Sequence, residues 1–133
     1  MAGTAKLTYL VRDYDEAVAL FAGMLDFAAL TDADLGGGKC WVTVAPKDGG
    51  MTLLLAKAAS PQQAARVGDQ TGGRVFLFLE TEDFARDHAA LAARGVKFRE
   101  APRHEAYGWV AVFEDLYGNL WDLLEVKARL PRH

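Results

Sequence analysis

Apolar positions along the chain follow two rhythms: a period near two in short β-prone runs, and a period near 3.6 in two longer ones. Lys6 to Val11 is rich in strand formers and short enough to be a strand. Asp13 then stands as an N-cap, with Glu16 as the return half of a capping box. Behind it Ala17, Leu20, Phe21 and Met24 give one apolar helical stripe. The helix is expected to stop near Asp26, and Phe27 to Leu30 to open a second strand. Gly36-Gly37-Gly38 reads as a flexible turn or loop. Trp41 to Val44 predicts a third strand, Pro46 to Gly50 a hairpin turn, and Met51 to Lys57 a fourth strand.

The same order returns further on. Arg74 to Leu79 repeats the first strand, and Thr81 takes the cap position of Asp13. Ala85, His88, Leu91 and Ala92 continue a helix that Gly95 closes as a C′ residue. Val96 to Phe98 is a strand, Ala101 to Ala106 a polar loop, and Trp109 to Phe113 with Leu120 to Glu125 a final hairpin. Asp115 and Gly118-Asn119 supply its turn. Residues 58–73 carry Ser60-Pro61 and Gly72-Gly73 and read as a linker, with one helical turn at Gln62 to Arg66.

The order is therefore βαβββ, twice. Sliding one copy on the other by 68 positions places Trp41 on Trp109 and Gly50 on Gly118. That alignment holds nine identities, too few to persuade alone, but Val42/Val110, Val44/Val112 and Leu55/Leu123 also fall in the hairpin. The expected class is α+β: two tandem βαβββ modules, 5–57 and 74–127, in a single domain spanning 1–133.

Composition narrows the class. A chain of 133 residues with 51% hydrophobic and 25% charged residues belongs among soluble globular proteins. The net charge of −3, with no basic tract, argues against nucleic acid as a partner. Leu53-Leu54-Leu55 and Val75 to Leu79 are too short to span a membrane, and no apolar stretch follows the amino terminus as a signal peptide would require. The single Cys40 excludes an internal disulfide and suits a reducing compartment, so the cytoplasm is expected.

Val11-Arg12-Asp13-Tyr14-Asp15-Glu16-Ala17, Met24-Leu25-Asp26-Phe27, Gly95-Val96-Lys97-Phe98 and the run from Glu114 to Glu125 together resemble the glyoxalase I / bleomycin-resistance protein / extradiol dioxygenase superfamily, the vicinal oxygen chelate proteins. Leu25-Asp26-Phe27 departs from that family's usual Leu-Gly-Phe. The resemblance covers residues 5–127 and implies a U-shaped mixed sheet around a cavity, often in a homodimer. It leaves the reaction open, since members isomerise, cleave rings, open epoxides or sequester drugs. In metal-using members four side chains from the first and last strands of the two copies hold the ion. The 68-residue register puts Lys6, Lys57, Arg74 and Glu125 there. Lys and Arg offer no lone pair at neutral pH, so no metal and no other cofactor is expected.

Glu125 has two readings: a salt bridge with Arg74 or Lys6, or a desolvated general base. Lys6 and Arg74 could instead hold an anionic ligand. Trp41 and Trp109 occupy equivalent strand positions, and Trp121 and Leu123 share a strand face with Glu125. Their aromatic faces suit a flat organic ligand or an ordinary core. Lys57, Arg103 and Tyr107 complete the expected ligand set, the last two in a polar loop at a cavity mouth. His104 lies in that loop, His88 on the helix and His133 in the tail, none in a motif. Ser60 precedes a proline, Cys40 lacks an activating neighbour, and the glycine clusters lack a phosphate-loop context. Asp13-x-Asp15 is explained by capping rather than by Ca²⁺. The leading expectation is a metal-free binder of a small organic, possibly anionic, molecule. The alternatives are a metal-dependent lyase or dioxygenase with ligands elsewhere, and an accessory domain working through a partner surface.

Overall fold

The computed structural model describes residues 3–127, so His133 lies outside it. The chain divides into two compact units, Met1–Gln70 and Thr71–His133.

In the first unit β1 (Lys6–Val11) leads into α1 (Tyr14–Val18), which runs on as a π-helical segment, Ala19–Met24. The Asp13 carboxylate accepts the Glu16 N–H at 2.9 Å, as an N-cap should. The Glu16 carboxylate is engaged by the Arg12 guanidinium at 2.9 and 3.2 Å. The segment ends with Leu25 N–H donating to the Leu20 carbonyl, and Asp26 follows with φ +61°. A left-handed residue after a helix is usually glycine; Asp tolerates it better than most.

Strand β2 (Phe27–Gly36) is far longer than the four residues expected, and pairs with β3 (Lys39–Pro46) around the glycine turn. Its outer residues are exposed, so they give no apolar alternation to read. After the turn at Lys47 comes β4 (Thr52–Lys57), which pairs parallel with β1 and antiparallel with β3. The sheet order is β1-β4-β3-β2. Tyr9, Phe21, Val42, Val44, Leu53 and Leu55 pack between sheet and helix, none more than 2% exposed. The Tyr9 and Phe21 rings meet edge to face at 5.1 Å. Part of the expected linker belongs to this unit. Its one helical turn is α2 (Pro61–Ala64), and the Gln70 amide both accepts from Leu10 N–H (3.0 Å) and donates to Leu10 C=O (3.2 Å), covering the open edge of β1.

In the second unit β5 (Val75–Glu80) precedes α3 (Phe84–Ala93). The cap is Asp83, whose carboxylate accepts from Arg86 N–H, and not Thr81. Thr81 Oγ1 instead accepts from Asp83 N–H at 3.0 Å and hydrogen-bonds Asp87, bracing the cap from two residues upstream. Gly95, at φ +91°, closes the helix as expected. Strands β6 (Lys97–Phe98), β8 (Gly108–Glu114) and β9 (Leu120–Val126) give the order β5-β9-β8-β6. The expected polar loop contains a further strand, β7 (Arg103–Glu105), paired with β8 through Arg103↔Val110 and Glu105↔Gly108. Three polar side chains, Arg103, His104 and Glu105, hid it, because its outer face is solvated. Each unit thus carries a mixed sheet with a parallel crossover, and neither sheet closes on itself.

Candidate functional site

Strand alternation sorts the candidate residues into two faces of each sheet. On β9, Trp121, Leu123 and Glu125 are 2%, 0% and 7% exposed and lie against α3. The Trp121 indole N–H donates to Asp115 Oδ2 at 3.1 Å and its ring stacks on Phe113 at 5.6 Å, so Trp121 is core. Asp115 also accepts from Tyr117 N–H, Asn119 N–H and the Asn119 amide, which fixes the hairpin turn. Burial pushes the Asp115 carboxyl up against the opposing pull of those donors.

Glu125 faces the helix layer. Its Oε1 accepts the N–H of Phe84, the first residue of α3, at 3.1 Å, and Lys127 Nζ stands 3.7 Å away. The ion-pair partner is Lys127, in place of the expected Arg74 or Lys6. A carboxylate there satisfies one orphan donor and suits the positive end of the helix dipole.

Trp41 and Trp109 do not occupy equivalent places. In the first sheet Val42 pairs with Leu55; in the second, Leu123 pairs with Ala111 and Val110 is carried on to Leu124. The second hairpin has slipped by one residue against the 68-residue alignment, and an odd slip exchanges faces. Trp109 therefore lies on the helix side, 6.1 Å from the Phe84 ring and 4.8 Å from His104. Trp41, 41% exposed, alternates with buried Val42 and Val44 and lies on the helix-free side.

The four positions that the resemblance assigns to a metal do not converge. Lys6 pairs opposite Thr52 and Lys57 opposite Val11, five rungs apart along one ladder, or roughly 16 Å at about 3.3 Å per residue. In the second unit Arg74 precedes the Val75↔Leu120 rung, whereas Glu125 follows the Glu80↔Leu124 rung. Lys6, Lys57 and Arg74 are exposed, and the first two close opposite ends of their ladder. Among the described residues no three His, Cys, Asp or Glu side chains gather as ligands. Three cationic side chains and one capped carboxylate are not a donor set for a divalent ion.

The helix-free face of the second sheet has the richer chemistry. Phe78, 61% exposed, pairs with Asp122 on the parallel β5–β9 ladder, and Asp122 pairs with Val112 on β8. Asp122 Oδ1 is buried and accepts no hydrogen bond from any described residue. Burial pushes its carboxyl up; Glu100 adds to that, and Arg103 opposes it. Arg103 is already held by Glu100 at 3.0 Å and by Glu105, and Glu100 also accepts from Val112 N–H at 3.2 Å. Tyr107, in the β7–β8 turn, is half-buried, and its carbonyl accepts from Lys127 N–H.

Phe78 and Asp122 were not among the residues singled out from sequence. For Asp122 the signal existed, since it alternates with Trp121 and Leu123 and so must face away from them. Phe78 sits in an unbroken apolar run, Val75-Phe76-Leu77-Phe78-Leu79, where alternation assigns no face.

Among proteins of known sequence, an uncharacterised protein of Shewanella frigidimarina is 46% identical over 127 residues, covering 94% of each chain. Among solved structures, UcmS2 superposes with a TM-score of 0.78 at 27% identity, over 92% of this chain and 97% of that one. TnmS3, an antibiotic binding protein from Streptomyces sp. CB03234, superposes with a TM-score of 0.70 at 28% identity, over 96% and 99%. A family model described as the Glyoxalase/Bleomycin resistance protein/Dioxygenase superfamily matches residues 4–123. With the model spanning nearly the whole chain and the paired βαβββ topology in place, the protein belongs to this superfamily.

Proposed function

We propose that the protein binds a small, flat organic molecule on the helix-free side of its second sheet, without a metal, and that its role is sequestration of that molecule. The observation that carries this reading is Phe78, a large apolar ring left 61% exposed in mid-strand, beside the buried acceptor of Asp122. Apolar area of that size left in water forgoes about 1 kcal/mol or more, which a ligand's ring would recover. The similarity to an antibiotic binding protein at 28% identity supports it, as does the poor donor set at the four ligand positions. Arg103 would contribute charge there, whereas Trp109, Trp121 and Glu125 lie on the helix side of that sheet and Trp41 and Lys57 belong to the first unit. The protein acts in the cytoplasm on this reading, as its lone cysteine suggests, and as a homodimer, as the resemblance suggests. No helix among the described residues is long and apolar enough to cross a membrane.

The test is a fluorescence titration with polycyclic aromatic probes, with and without excess EDTA. Saturable binding that survives EDTA and weakens at least tenfold in Phe78→Ala is expected. Binding that vanishes with the chelator, or no saturable binding, overturns the proposal.

A further inference from the structure

We infer that Asp122 is the anchoring acceptor of this site and that the ligand class it selects is a flat aromatic cation bearing an N–H donor, such as a protonated amine on a fused ring. The inference rests on the small-molecule reading above and goes beyond it by fixing the ligand's charge.

Three observations converge. Asp122 is half-buried, and its enclosed Oδ1 takes no donor from the described residues, so the carboxylate carries a charge that a cation at its accessible edge would offset. Its ladder neighbour Phe78 presents an exposed ring, so a ligand lying on that ring has its edge at the carboxylate, and a positive charge over the ring adds cation–π attraction. The charges around the carboxylate have one sign in excess. Glu80 pairs with Leu124 and Glu105 with Gly108 on the same face, and Glu100 lies close enough to Asp122 to act on its carboxyl. Arg103 is the one cation among them, and its guanidinium is already shared by Glu100 and Glu105. Glu114, further along, is matched by Arg99 at 2.6 Å and Lys97 at 3.5 Å. An anionic ligand would meet the carboxylate and find no free guanidinium among these residues, whereas a cation would meet a partner. This reverses the anionic preference suggested from sequence, since the charges that act on the Asp122 carboxyl are those of Arg103 and Glu100.

The probes are 9-aminoacridine, a flat cation with N–H donors, and acridine-9-carboxylate, its anionic counterpart, titrated by fluorescence at neutral pH. The wild-type protein is expected to bind the cation at least tenfold more tightly. Asp122→Asn, nearly isosteric and verified as folded by its melting curve, should lose at least tenfold for the cation and leave the anion unchanged or improved. Arg103→Gln, which frees two carboxylates, should improve the cation about threefold. Equal binding of the two probes to wild type and to Asp122→Asn overturns this inference and leaves the small-molecule reading standing. Equal losses of both probes in Asp122→Asn mark a structural role and also overturn it. Failure of both probes to bind the wild type overturns the small-molecule reading and this inference with it.

Discussion

The Glu125 carboxylate at the end of β9 accepts the backbone N–H of Phe84 at the start of α3, bonding two residues 41 positions apart. The bond ties the last strand to the helix of its own unit and makes Glu125 an architectural residue. Glu125→Leu should lower unfolding free energy by about 2–3 kcal/mol, because a buried N–H loses its partner and Lys127 its neighbour. Glu125→Gln, which keeps an acceptor, should lose about half as much. Urea unfolding of both variants measures this. Full stability in Glu125→Leu would place the role of the carboxylate elsewhere.

Gly108 is required by its neighbour's backbone. At φ +149°, a Cβ built there would lie 1.9 Å from the Glu125 carbonyl oxygen. Gly108→Ala must part β8 from β9 and should cost about 3–4 kcal/mol. Gly118, at φ +93°, meets nothing within 4 Å. Gly118→Ala should therefore cost only its backbone strain, about 1 kcal/mol. Thermal melts of the pair compare clash with strain directly, and equal losses would refute the distinction.

Asp26 sits where glycine would be relaxed, at φ +61°, and its carboxylate meets Lys47 Nζ at 2.7 Å. Both side chains are half exposed, so this pair contributes at most about 1 kcal/mol. Asp26→Gly should leave stability within about 0.5 kcal/mol of wild type. Asp26→Val, β-branched in the same conformation, should lose about 1–2 kcal/mol. Denaturant midpoints that rank Val above Gly would contradict the backbone account.

The raised carboxyl of Asp122 has a pH signature with a definite sign. Its folded form holds the proton more tightly than its unfolded form. Below the ordinary Asp range both are protonated and the residue is neutral; once pH rises through the raised value, the folded state carries a partly desolvated charge. Melting temperatures of Asp122→Asn and wild type should therefore differ least near pH 3.5 and diverge in the variant's favour towards about pH 7. A difference that shrinks with rising pH would mean that the carboxylate is stabilised.

Features carried by local chemistry were readable from the chain. Asp13 caps its helix, Gly95 ends the next, and Asp115 with Gly118-Asn119 turns the last hairpin, because each acts on residues within one turn of itself. The alternation of Trp121, Leu123 and Glu125 was equally plain. What escaped depends on a distant partner. The slip of β8 against β9 is set by the pairing strand, and no counting along one strand reveals it. Glu125 was read as a salt-bridge partner of Arg74 or Lys6 or as a desolvated base, whereas its hydrogen-bond partner is an amide 41 residues earlier. Strand β7 and most of β2 present solvated faces, so their extended backbone is dictated by the neighbour and not by apolar rhythm.

The odd-numbered slip of the second hairpin also gives the molecule a built-in optical asymmetry. Trp41 reports on one side of its sheet, Trp109 on the opposite side of the other, and Trp121 from the sealed interior. Light emitted by three indoles in three different surroundings would let a single spectrum say which side a guest has touched.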